Sequence, residues 1–136
     1  MENLLRHLVF LARNFSDFSE RNIVEILLIE AGVSTKRSAF NYLVDSVLLY
    51  GDAEWKSITK VIFPEIAKKN NVEKKAVEKA VERAVHDAWE TRDEVWTMFF
   101  LNENRMTSSE FISRMAIVLG LWKACCRSVL LKEGSK

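Results

Sequence analysis

Residues 73–83 carry charged side chains at a spacing that suits contact with nucleic acid. Lys75 and Lys79 lie four positions apart, as do Glu78 and Glu82, so on a helix each pair falls on one face. Lysine ammonium groups bind phosphate oxygens, and a glutamate accepts a hydrogen bond from the cytosine amine. Such a helix would therefore present the kind of polar face that meets a DNA groove. The alternative for Glu78 is a pair with Lys74 along the same helix.

The segment around this face has the pattern of a helix-turn-helix. Ala67 is small enough for close helix contact, and Asn71, four residues later, tolerates the left-handed backbone of a tight turn. Pro64 fits the first turn of a helix, so we predict a first motif helix over 64–70 and a second from Glu73 to about Trp89. The expected inward residues are Ile66, Val72, Val77, Ala80, Val81 and Ala84.

The composition predicts an all-α fold of about six to seven helices in a single domain spanning residues 1–136. Only 4 Gly and 1 Pro occur in 136 residues, which favours long helices over turn-rich β architecture. The apolar patterns predict helices at 3–13, at 20–31 ending before Gly32, and from a cap at Ser34 or Thr35 to Gly51.

The second half of the chain continues this pattern. A segment from Glu54 to Ile62 should end in a break near Phe63. Thr107 and Glu110 form a capping box for a last helix that starts at Ser108 and continues past Gly120 to Leu131.

The charge distribution distinguishes the motif from the rest of the chain. Residues 56–83 carry eight Lys or Arg against four Asp or Glu, although the net charge of the whole chain is only +1.

The sequence gives no support for catalysis or metal binding, because neither His7 nor His86 has a nucleophile or a carboxylate partner at a recognisable spacing. We therefore expect no enzyme, no cofactor and no metal. The adjacent Cys125 and Cys126 fit a reducing cytoplasm, and no membrane segment is expected.

Several blocks of sequence resemble one known family in order along the chain. They are SITKVIFPEIAKKNN at 57–71, AVEKAVERAVHDAW at 76–89 and TSSEFISRMA at 107–116, with a weaker block, AFNYLVDSVLLY, at 39–50. The chain over about 22–121 is thereby similar to the C-terminal DNA-binding effector domain of the sporulation response regulator, the stage zero sporulation protein A family. The resemblance implies a winged-helix-like effector domain without strong strands, with the second motif helix in the major groove and two copies on tandem promoter sites.

The resemblance also implies roles for individual residues, with some departures. Glu78 and Lys79 match the family's base-reading pair, although the family has arginine at Lys79, and a further base-reading arginine of the family falls at Ala76. Glu82 replaces a basic position. The candidate base contacts are Lys75, Glu78, Lys79 and Glu82, and the candidate phosphate contacts are Lys60, Lys68, Lys69, Lys74 and Arg83. The alternative for the lysines is a solvated helix face.

Two segments fall outside the resemblance, an apolar helix at 3–13 and an extension at 122–131. The family's receiver domain has no counterpart in these residues, and we expect the two segments to pack together or to form a dimer interface, or else merely to cap the core. The leading hypothesis is a sequence-specific DNA-binding transcriptional regulator, a homodimer with double-stranded DNA as its partner and RNA polymerase as a candidate partner. The alternative is a protein-interaction module derived from the same fold.

Overall fold

The chain folds into seven α-helices within the residues that the computed structural model describes, which are 1–52, 57–101 and 104–134. They are α1 (Glu2–Phe15), α2 (Glu20–Glu30), α3 (Ser38–Asp52), α4 (Phe63–Lys69), α5 (Lys74–Glu90), α6 (Glu94–Phe100) and α7 (Ser108–Gly134). These ranges contain no β-strand. The predicted all-α class is confirmed.

The core forms where α3 and α7 cross, with α1 packed along α7 and α5 packed on α3. Its centre is aromatic: Trp96, Phe99 and Phe111 are fully buried. The Trp96 and Phe100 rings lie 4.5 Å apart between centroids, a separation at which tilted aromatic pairs attract each other beyond their buried area. The Phe100 ring also lies 5.0 Å from that of Phe111 between centroids, and this contact fixes the short helix α6 against the start of α7.

The two segments outside the resemblance both contribute to this core. Leu4, Leu8 and Leu11 of α1 are buried, and Trp122 at the start of the extension is only 4% exposed. An ion pair of 2.7 Å between Lys123 and Glu20 also ties the extension to α2. Residues 122–131 therefore continue α7, with Trp122 packed in the core and Leu130 and Leu131 exposed near the end of the helix.

The helix ends that the sequence predicts are observed where the residues that form them lie close together in the chain. The Thr107 amide donates to Glu110 Oε1 at 3.2 Å, and the Glu110 amide donates to Thr107 Oγ1 at 3.1 Å. Gly32 ends α2 with a φ of 95°, a left-handed conformation that glycine adopts without strain. The last helix continues past Gly120 as expected.

Three predictions about boundaries and burial are wrong. The third helix begins at Ser38, because the Ser34 hydroxyl accepts from the Lys36 amide within a turn instead of capping a helix. No break occurs at Phe63, since the π-helical turn Ile58–Ile62 leads directly into α4. The Glu54 end of that predicted segment lies outside the described residues.

Val72, expected to point inward, is the third correction, with 38% of its surface exposed. It follows directly after the residue of positive φ in the turn, and its amide donates to the Ala67 carbonyl. Its backbone thus closes the turn while its side chain faces solvent.

No helix of the described residues is long and apolar enough to cross a membrane.

Asn71 has a φ of 54°, which is costly for β-branched residues. We expect Asn71→Val to lower the free energy of unfolding by about 1–2 kcal/mol, as measured by urea denaturation. Asn71→Gly is the matched control and should leave stability nearly unchanged. Equal stability of the two variants would contradict the role assigned to this turn.

Burial raises the pKa of the Cys125 and Cys126 thiols, and the neighbouring Cys125 raises the pKa of Cys126 further. The thiolate fraction at pH 8.5, roughly the pKa of a free cysteine, should therefore be lower in the folded than in the unfolded protein. Iodoacetamide should therefore alkylate the folded protein more slowly than the unfolded protein. By the same linkage, the free energy of unfolding should fall as pH rises through the thiol pKa of the unfolded chain.

Candidate nucleic-acid interface

Helices α4 and α5 meet through a four-residue turn that the backbone closes tightly. The Asn70 amide donates to the Ile66 carbonyl at 3.1 Å, and the Val72 amide donates to the Ala67 carbonyl at 3.0 Å. The Asn70 side chain donates to the same Ile66 carbonyl at 2.8 Å. Because the last carbonyls of α4 are satisfied here, the turn fixes how α5 leaves α4. Ala67 is buried at this point and has the small size that close contact between the helices requires.

Helix α5 is sharply two-sided. Its inner face buries five residues, namely Val77, Val81, Ala84, Val85 and Ala88. On the opposite face Lys75, Lys79 and Arg83 follow one another at one-turn intervals, and all three are exposed. None of them pairs with a carboxylate in the part of the chain that the structure describes. We call these three residues the basic stripe.

The two glutamates of the predicted base-reading set lie beside the basic stripe. Glu78 is partly buried, and its Oε1 lies 3.3 Å from Lys74 Nζ. Exposed pairs at this spacing are worth only about 0.3–0.5 kcal/mol, so a competing ligand can separate them. Glu82 is exposed and lies one turn further along. The structure therefore keeps both carboxylates next to the exposed cations.

Glu78 and Glu82 also line a cleft of about 510 Å³ between α5 and the start of α7. The opposite wall includes Arg105 and Ser109, and Phe63 lines the cleft as well. Sequence reasoning missed Arg105, because it lies far from α5 along the chain and no local spacing links the two. Arg105 and the first residues of α7 therefore lie beside the predicted interface.

His86 extends the same side of α5. Its Nε2 lies 2.7 Å from Glu90 Oε1, and its Nδ1 is buried without a hydrogen-bond partner among the described residues. The described residues contain no group of three or more His, Cys, Asp or Glu side chains that could hold a metal ion.

The lysines predicted to contact phosphates occupy different environments. Lys60 is exposed on the π-helical turn, and Lys68 is exposed near the end of α4. Lys69 instead lies 3.3 Å from Asp45 Oδ2, and Asp45 also pairs with Arg21 of α2. Lys60 and Lys68 are therefore available to a ligand as they stand, whereas Lys69 is engaged within the protein.

Ala76, the position at which the resemblance implies an arginine in the family, is exposed in the first turn of α5. A longer side chain would meet solvent at this position.

An all-α fold with a tight turn between two helices and a cationic stripe on the second is typical of DNA-binding regulatory domains. Residues 24–119 match the model of the family described as sporulation initiation factor Spo0A C terminal. This match covers more than half of the chain, and the chain belongs to this family of DNA-binding effector domains. The family is not one of enzymes.

Proposed function

We propose that the protein is a sequence-specific transcriptional regulator that inserts α5 into the major groove of promoter DNA. The observation that carries this proposal is the basic stripe, Lys75, Lys79 and Arg83, which is exposed and unpaired among the described residues on the second helix of the turn. A charged face that lacks internal partners retains its full attraction for phosphates. Family membership supports the same reading.

The proposed contacts fall into two groups. Lys75, Glu78, Lys79 and Glu82 contact base edges, and Lys60, Lys68, Lys69, Lys74 and Arg83 contact phosphates. Phosphate contacts set the register of the protein on the duplex, whereas base contacts select the sequence. Lys79 offers a point charge at a position where an arginine would form two hydrogen bonds with guanine. We therefore infer a target DNA sequence that differs from the family's own target sequence, which we call the family's box.

We further propose a homodimer that uses the terminal helices and acts in the cytoplasm, with RNA polymerase as a further partner. Phe10 on α1 and Leu130 on α7 remain more than half exposed. Exposed large apolar side chains on these two helices are available to an interface between copies of the chain. Light scattering of the wild type and of a Phe10→Ser, Leu130→Ser variant tests this: a monomeric variant supports the proposed interface, whereas a wild type that is already monomeric contradicts it.

The second candidate function is a protein-interaction module derived from the same fold. Two observations favour it: Ala76 supplies no donor, and Glu78 and Glu82 place negative charge beside the basic stripe. A phosphate backbone would be repelled where these carboxylates dominate. The experiments below separate the two functions.

Reversing two charges of the basic stripe should abolish DNA binding. We expect Lys75→Glu with Lys79→Glu to weaken binding by roughly 100-fold, because each residue loses an attraction and adds a repulsion. Fluorescence anisotropy on labelled duplexes measures this. Lys36→Glu with Arg92→Glu is the matched control, since both residues are exposed outside α5 and the terminal helices and the net charge changes equally.

The affinity of the unmutated protein for duplex DNA should also fall as the salt concentration rises. About four or five phosphate contacts predict a log–log slope of roughly −4. Absence of binding to any duplex at low salt would eliminate the DNA hypothesis and leave the interaction module.

Ala76→Arg should restore the family's base contact. A bidentate arginine–guanine contact discriminates by about 1–3 kcal/mol, so affinity for a duplex with the family's box should rise at least about fivefold over a scrambled duplex. Ala124→Arg adds the same charge at an exposed position of α7 and should raise affinity for both duplexes alike, if at all. An equal gain on both duplexes from Ala76→Arg would argue against a base contact at this position.

A further inference from the structure

Asp45 of α3 is one of the few buried charged residues among those described, with 9% of its surface exposed. Its two carboxylate oxygens contact cations from two other helices. Arg21 Nη2 of α2 contacts Oδ1, and Lys69 Nζ of α4 lies 3.3 Å from Oδ2. The carboxylate therefore links the first motif helix to the helices behind it.

The two cations are held unequally. The Arg21 side chain is 44% exposed, whereas the Lys69 side chain is 65% exposed. A buried carboxylate must keep at least one partner, and Arg21 can fill that role alone. Lys69 can thus move away while the buried Asp45 carboxylate stays paired with Arg21.

Space exists for such an exchange. Asp45 and Lys69 line the same cavity of about 290 Å³, and the other lining residues are Arg21, Leu48, Leu49, Glu65 and Ile66. The lysine stem can follow the leucine and isoleucine side chains of this lining while its ammonium group moves outward, as long cationic side chains commonly do.

We propose that Asp45 is a positioning residue of the DNA interface. It holds Lys69 at the end of α4 in the free protein and yields it to a phosphate on binding, while Arg21 keeps the carboxylate paired. This inference rests on the proposed DNA-binding function. It makes Lys69 a phosphate contact that is restrained until DNA displaces Asp45, unlike its neighbour Lys68.

A double-mutant cycle tests the coupling. Asp45→Asn removes the competitor for Lys69, and the modest strength of such pairs predicts binding tighter by up to about fivefold. In a Lys69→Gln background the same substitution should have no effect on DNA affinity. Lys69→Gln alone should reduce the salt slope by roughly 0.9, the value for one lost phosphate contact.

Lys68→Gln is the matched background, because it removes the adjacent exposed lysine and leaves the Asp45 pair in place. Asp45→Asn should still tighten binding there. If Asp45→Asn weakens binding equally in all backgrounds, its role is structural support of α4 and the proposal is wrong. An unchanged salt slope in Lys69→Gln would overturn it as well.

NMR of the unmutated protein gives a test that does not depend on the variants folding. With ¹⁵N-labelled lysine and arginine side chains, addition of duplex should shift the Lys69 Nζ resonance and leave the Arg21 resonances in place. A Lys69 resonance that stays in place on saturating DNA would overturn the exchange. Failure of the unmutated protein to bind any duplex would instead sink the proposed function itself, which separates the two failures.

Discussion

The burial of one face of α5 is the constraint on which the interface depends. Val77, Val81 and Val85 are almost fully buried, and each contributes on the order of 1.5–3 kcal/mol through that burial. No ion pair on the outer face approaches this energy. The rotation of α5 about its own axis is therefore set by apolar packing on α3 and α4, and the direction in which the basic stripe points follows from it. Charges can change on the outer face, for example at the exposed Ala76, without turning the helix.

Local chemistry made much of the fold predictable. The capping box at Thr107 and Glu110, the left-handed Asn71 and the glycine after α2 each act through neighbours within a few residues, so a linear sequence displays them. The two-sided pattern of α5 is equally visible, because side chains four apart share a face. The blocks of sequence that resemble the family cover the same segments. The predicted bounds of α4 and α5 accordingly differ from the observed bounds by about one residue.

The remaining features depend on residues that are distant in the chain. Nothing near Lys69 shows that Asp45, 24 positions earlier, holds its ammonium group. Likewise Arg105 joins the cleft beside Glu82 only because α7 starts there. The serine before α3 illustrates a different limit: Ser34 can cap a helix or close a turn with the same hydroxyl, and only the tertiary position of α3 decides between them.

The π-helical turn Ile58–Ile62 has a consequence for how this segment tolerates changes in length. A π turn holds about one residue more than an α turn over the same rise, as the bond from the Ile62 amide to the Ser57 carbonyl shows. Deletion of one residue here would convert it to ordinary α-helix and leave α4 and α5 intact. Because the extra residue is accommodated within one turn, its removal would leave Ser57 and the residues of α4 in the same orientation about the helix axis. A single-residue deletion at this turn should accordingly be tolerated without a shift of the apolar pattern of α4.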